Sequence, residues 1–316
     1  MDERQKSAKN IQYNRFIRRI KQMNKTIFEG IAPALVTPFK NGEVDYVSLE
    51  KIVDFQIKSG TKNLVLFGTT AEAPTLTFEE EDKIFELVKK RVSKDVKLIV
   101  GTGCNDTLTV IRRSIDAKSM GADGLLIVTP YFNKCTQKGL IRHYTQVIEA
   151  AKIPVIIYNS PGSTGINIEP ETALELSKNP YVAGIKESSG NIEHILKLFH
   201  VLDGKMAIYS GDDELDYLMF SLGALGALSV TANIAPKQKQ ELFDLVKKGE
   251  HKKALEIHKK MYELNNRLFI EINPIPLKAA LKHMGLCDDE LRMPLTRIEE
   301  DNRKLLIETL EGSNIK

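Results

Sequence analysis

Eight short aliphatic runs between Ile31 and Asn233, separated by amphipathic stretches about as long as a helix, constrain the fold of this chain more than any other feature. They are IAPALVTPF (31–39), NLVLFG (63–68), KLIVGTG (97–103), GLLIVTP (124–130), PVIIYN (154–159), VAGIKES (182–188), AIYSGDD (207–213) and GALSVTAN (226–233). Most are apolar without alternation, the pattern of parallel strands covered on both faces. The stretches between them carry apolar residues at three- and four-residue intervals. TFEEEDKIFELVKKRV (77–92) adds acids in its first turn, where the helix dipole favours them. Eight such units predict an α/β fold, a (β/α)8 TIM barrel over 23–235. A doubly wound sheet would carry fewer strands and a Gly-rich dinucleotide turn after the first, and GTGCND at 101–106 is not that turn. Residues 236–316 read as further helices without strands, a C-terminal helical appendage. Residues 1–22 are basic and poor in large aliphatics, and are expected to form a flexible extension.

Charge and cysteine content exclude several function classes. The 45 Lys and Arg against 42 Asp and Glu leave a net charge of +3 in 316 residues, with no basic stripe in the body of the chain, so nucleic acid is not the expected partner. Three widely spaced cysteines, Cys104, Cys135 and Cys287, form neither a disulfide framework nor a CxxC zinc site, and fit a reducing cytoplasm. No apolar run approaches the ~20 residues of a membrane-spanning helix.

Barrel enzymes place their chemistry at the C-terminal ends of the strands, so the polar residues that close each aliphatic run are the candidates. The second run closes on Thr69 and Thr70, the fourth leads to Tyr131 and Phe132, the fifth contains Tyr158, the sixth Lys186, and the seventh ends in SGDD. A lysine inside an aliphatic strand is a misplaced charge unless an ion pair compensates it or the neutral amine is what the site needs. Glu187 and Asp212 are the ion-pair partners that sequence proximity offers. A neutral amine attacks a ketone to form an imine; loss of a methyl proton then gives an enamine whose carbon attacks an aldehyde. Tyr158 is the candidate proton shuttle, with the Thr69 hydroxyl as relay. The hydroxyls and backbone amides of Thr69 and Thr70, in a turn before a helix, can hold a substrate carboxylate. Leu228 is a further substrate-binding candidate. No metal-ligand cluster is visible and no cofactor is called for.

GTT followed by Glu72, YNSPGSTG around Tyr158, GIKESSGN around Lys186, SGDD at 210, SVTAN at 229 and NPIPLK at 273 together resemble the dihydrodipicolinate synthase and N-acetylneuraminate lyase family of pyruvate-dependent class I aldolases. The resemblance runs from about Ile27 to the last helices and is strongest to the synthase branch. It implies a covalent imine of pyruvate on Lys186, protons moved by Tyr158 and Thr69, and condensation with aspartate-β-semialdehyde on the route to lysine. It also implies a homotetramer of tight dimers, with Tyr131 and Phe132 at the shared interface. Two positions depart from the synthase pattern. Ser163 stands where an arginine binds a substrate carboxylate, a contact worth ~1.5 to 3 kcal/mol, and Phe132 stands where a second tyrosine completes the proton relay. Lyases that cleave sialic acid or 2-keto-3-deoxy sugar acids also lack that arginine, and they form the alternative reading. A catalytically decayed pyruvate-binding barrel is a third. A barrel holding phosphate or pyridoxal phosphate through Lys186 is disfavoured by Asp212, Asp213 and Glu214, which would repel a phosphate.

Overall fold

The computed structural model describes residues 26–313, so the 1–22 extension lies outside the described residues. Each aliphatic run delivers a strand: β1 (Gly30–Pro33), then, after a small hairpin of β2 (Phe39–Lys40) and β3 (Glu43–Val44), β4 (Asn63–Leu66), β5 (Lys97–Gly101), β6 (Gly124–Val128), β7 (Val155–Asn159), β8 (Val182–Glu187), β9 (Ala207–Ser210) and β10 (Gly226–Ser229). Apart from the hairpin they form one eight-stranded sheet in the order β1-β10-β9-β8-β7-β6-β5-β4. A parallel bridge between Ala34 and Val65 carries the end of β1 onto β4, joining the two ends of that order. The architecture is a (β/α)8 TIM barrel with helices between the strands and a helical C-terminal region. The strands are shorter than the runs that announce them, because in all but β7 the last residues of the run leave the ladder.

Packing groups the chain into two compact units. One holds residues 26–30, Ile99–Leu228 and Phe243–His251. Within it β6, β7 and β8 are buried along almost their whole length, and every Ile, Leu and Val of these strands removed from water contributes about 1.5–3 kcal/mol. The other holds Ile31–Leu98, Ser229–Leu242 and residues 252–313, including the helices His251–Arg267 (from Lys252), Ile275–His283 and Glu300–Gly312.

Local sequence explains the helix ends. The stretch expected at 77–92 is helical over Phe78–Arg91, and Thr77 and Glu80 close a capping box, each side chain accepting from the other's backbone amide. Asp45, Asp106, Thr136 and Asn191 cap four other helices with their side chains alone, each accepting from the amide three residues on. The hairpin begins on the last residue of the first aliphatic run, Phe39. Its signal is the pair Asn41-Gly42, whose φ values of 55° and 81° are those a tight two-residue turn requires.

Candidate active site

Lys186 lies near the C-terminal end of β8 and is buried to 6% exposure. Its strand neighbour in register is Tyr158 of β7, and its Nζ lies 4.2 Å from the centroid of the Tyr158 ring. The structure therefore brings these two candidates together. Burial alone would push the Tyr158 phenol up. The Lys186 charge first, then hydrogen bonding from Ser160, Ser188 and Lys186, more than offsets it, so the phenol is held below the ordinary value of 10. On the far side of the lysine stands Gly211. A Cβ there would fall 2.0 Å from Ser188 Oγ and 2.5 Å from Lys186 Cε, so only glycine leaves the lysine its place.

Glu187, the ion-pair partner suggested by sequence, faces the opposite side of β8, as successive strand residues must. It is fully buried. Its Oε2 accepts from Asn159 Nδ2 at 2.9 Å and lies 3.5 Å from His194 Nε2, while Oε1 accepts from the Ser189 amide at 2.6 Å. Asn159 Nδ2 also reaches Asn167 Oδ1 at 2.8 Å, and the Asn167 amide lies 3.2 Å from His194 Nδ1. Asn159 follows Tyr158 and Glu187 follows Lys186, so this network ties the two strands together directly behind the pair. The hydrogen bond to Glu187 raises the His194 imidazole above its ordinary 6.5, outweighing burial. A raised histidine stabilises the fold fully below 6.5, and that contribution disappears as pH climbs through the raised value. Urea midpoints measured across neutral pH are therefore expected to fall with rising pH, and His194→Gln is expected to flatten that part of the curve.

Thr69 and Thr70 open a 3-10 turn, Thr69–Ala71, directly after β4. Thr69 is exposed and Thr70 buried. Thr70 Oγ1 accepts from Asn273 Nδ2 at 3.0 Å, which leaves its own proton free to be donated. Two non-glycine residues with left-handed backbones bracket the turn, Phe67 at φ 56° and Glu72 at φ 53°. Such conformations cost about 1–3 kcal/mol each and persist only where surroundings hold them. What holds Glu72 is a buried ion pair with Lys278 Nζ at 2.5 Å and the Arg292 amide donating to Oε2 at 3.0 Å. Lys278 donates further to the Glu290 carbonyl at 2.8 Å and sits 4.1 Å above the Phe39 ring. Lys278 enters the sequence reading only as the last residue of NPIPLK, with no role, and Arg292 does not enter it.

Leu228 is buried on β10. Tyr131 is half-buried, and burial raises its phenol. Phe132 has a left-handed backbone at φ 67° and is 91% exposed, the most exposed large apolar side chain among the described residues. Ser163 is exposed and accepts a hydrogen bond from Ser160 Oγ at 3.1 Å.

A (β/α)8 barrel with a lysine and a tyrosine paired at adjacent strand ends is the class of protein that fold and site define, a barrel enzyme. The chain belongs to the Dihydrodipicolinate synthetase family, whose profile matches residues 27–312. It is 44% identical to the 4-hydroxy-tetrahydrodipicolinate synthase of Alkaliphilus oremlandii over 92% of this chain and 100% of that one. The enzyme of the same name from Thermodesulfovibrio yellowstonii is 43% identical over 92% and 99%. Among solved structures, dihydrodipicolinate synthase from Thermotoga maritima superposes with a TM-score of 0.90 at 38% identity, covering 92% of this chain and 100% of its own. The chloride-inhibited dihydrodipicolinate synthase from Acinetobacter baumannii, complexed with pyruvate, reaches 0.89 at 43% identity, covering 91% and 99%.

Proposed function

We propose that this chain is a 4-hydroxy-tetrahydrodipicolinate synthase, a lyase that condenses pyruvate with aspartate-β-semialdehyde through an imine on Lys186. The observation that carries this reading is the pairing of buried Lys186 with Tyr158 at 4.2 Å, in a chain that matches synthases along their whole length. The Lys186 amine attacks the pyruvate ketone, and the carbinolamine loses water to give the imine. Removal of a methyl proton leaves an enamine whose terminal carbon attacks the aldehyde. The amine of the semialdehyde then displaces Lys186 and closes the ring, so the lysine is regenerated without any cofactor. Tyr158 carries protons through these steps, its lowered phenol suiting both directions of transfer. Thr69 and Thr70 donate to the pyruvate carboxylate, with Asn273 fixing the Thr70 hydroxyl. Leu228 walls the substrate.

We assign the chain to the cytoplasm, where Cys104, Cys135 and Cys287, all free, would remain reduced. Among the described residues no helix is long and apolar enough to cross a membrane. We propose a homotetramer in which the exposed Phe132 ring finds cover on a second subunit. The test of the function is an acceptor panel: pyruvate consumption with aspartate-β-semialdehyde, N-acetylmannosamine and glyceraldehyde. Turnover with the semialdehyde is expected. Turnover confined to either sugar-type acceptor would overturn the synthase reading in favour of a lyase.

A further inference from the structure

The aldehyde acceptor of the proposed reaction carries a carboxylate, and the rim of the barrel has to meet that charge. In the loops that follow β6, β7, β8 and β9, residues 129–136, 160–169, 188–191 and 211–215, the sequence contains one cationic side chain, Lys134. Ser163, in the turn after β7, brings only a neutral hydroxyl. The charged side chains after β9 are all carboxylates, Asp212, Asp213 and Glu214. Burial first, then the charges of Asp212 and Asp213, raises the Glu214 carboxyl. That flank repels an anion, which turns an acceptor's carboxylate toward the β6 and β7 side. There Lys134 lies across the turn that holds Ser163. A Cβ added to Gly165 would fall 2.6 Å from Lys134 Cε and 3.1 Å from its Nζ, so the end of the lysine rests on backbone two residues beyond Ser163. Gly165 has a left-handed φ of 71°, a conformation that favours glycine. The chain beneath is fixed. Asn133 Nδ2 donates to the Asn105 carbonyl at 2.9 Å, the Lys134 amide to the Phe132 carbonyl at 3.0 Å, and Thr129 Oγ1 to Thr164 Oγ1 at 2.7 Å. The ammonium itself is exposed, and among the described residues no carboxylate pairs with it and no oxygen accepts from it.

We propose that Lys134 binds the carboxylate of the aldehyde acceptor and so sets the preference of this chain for a charged over a neutral aldehyde. This rests on the synthase reading and names the anchor for the second substrate. Strand order supports the position. β6, β7 and β8 are neighbours in the sheet, so the loop that carries Lys134 leaves it one strand from Tyr158 and two from Lys186. The acceptor is then held by its two ends, the aldehyde carbon toward the enamine on Lys186 and the carboxylate toward Lys134 Nζ. An ammonium on a flexible four-carbon stem offers three donors and adapts to the direction from which an anion arrives. With no internal partner, Nζ gives up no ion pair when the carboxylate binds.

The test uses the full chain and steady-state kinetics with aspartate-β-semialdehyde at saturating pyruvate, alongside borohydride trapping of pyruvate. Lys134→Gln is expected to raise the KM for the semialdehyde by about 10- to 100-fold, the span of a lost hydrogen bond to a charged group. Trapping on Lys186 and the KM for pyruvate are expected to keep their wild-type values. Lys134→Arg, which keeps the charge, is expected to retain most of the affinity for the semialdehyde. Added salt is expected to raise the semialdehyde KM more steeply in the wild-type chain than in Lys134→Gln, because an exposed charge contact is screened. An unchanged semialdehyde KM in Lys134→Gln would overturn the anchor. So would an equal loss in Lys134→Arg, or a parallel fall in trapping, which would mark the lysine as structural. Trapping without any turnover of the semialdehyde by the wild-type chain would overturn the synthase reading, and the anchor with it.

Discussion

Borohydride added to the chain in the presence of pyruvate is expected to leave a stable adduct on the peptide that contains Lys186, with the mass of pyruvate less one water and plus two hydrogens. The reason is chemical. Hydride reduces an imine carbon in place to a secondary amine, whereas pyruvate held only by hydrogen bonds is washed away. Lys186 is positioned for the attack by β8, by Tyr158 in register on β7, and by the absent side chain at Gly211. Lys186→Ala is expected to remove both the adduct and turnover, because the covalent route has no second amine at that place. Lys186→Arg is expected to behave identically despite keeping the charge, since a guanidinium does not lose its proton at working pH. An adduct on another lysine, or turnover in Lys186→Ala, would refute the assignment.

Lys278→Met is expected to be the most damaging change outside the Lys186 strand, with a loss of stability of ~3–5 kcal/mol. Lys278 is fully buried and the Glu72 side chain 1% exposed, so removing the ammonium strands a carboxylate away from water. Burial pulls the Lys278 ammonium below a lysine's ordinary range, and the Glu72 carboxylate is the principal opposing influence. The left-handed backbone of Glu72 depends on those contacts, and Thr69 and Thr70 precede it by two and three residues. Loss of stability should therefore be accompanied by a fall in kcat/KM for pyruvate. Glu72→Gln combined with Lys278→Met is expected to recover part of the stability, because the uncompensated charge disappears. Urea unfolding of Lys278→Met, Glu72→Gln and the double variant checks this, and an additive double variant would show that the pair is not coupled.

Much of this molecule is legible in its sequence because parallel strands buried on both faces write themselves as continuous aliphatic runs. Lys186 stands out for the same reason, as a charge that such a strand should not contain. What could not be read depends on direction and distance in space. Glu187 looks like the natural partner of Lys186, yet the two-residue period of the strand turns it to the other side, onto Asn159 and His194. Lys278 closes the NPIPLK motif some two hundred residues after Thr70, and its burial against Glu72 exists only once the chain has folded. Ser163 reads only as a missing arginine. Its bond to Ser160 exists because the chain coils immediately after β7, and composition carries no trace of that. The β2–β3 hairpin was announced by Asn41-Gly42, but the apolar run ending at Phe39 overlies it.

Gly211 has a consequence for how such a protein can diversify. A methyl group at 211 would intrude on Ser188 and on the Lys186 methylenes, whereas a methyl group at Gly162, in the turn after β7, would meet nothing within 4 Å. The same rim thus contains one position closed to every other amino acid and, beside exposed Ser163, one with room to spare. Laboratory evolution of acceptor preference can draw its variation from 162 and 163 while the lysine stays undisturbed. Libraries that randomise 211 yield chains in which Lys186 must leave its place.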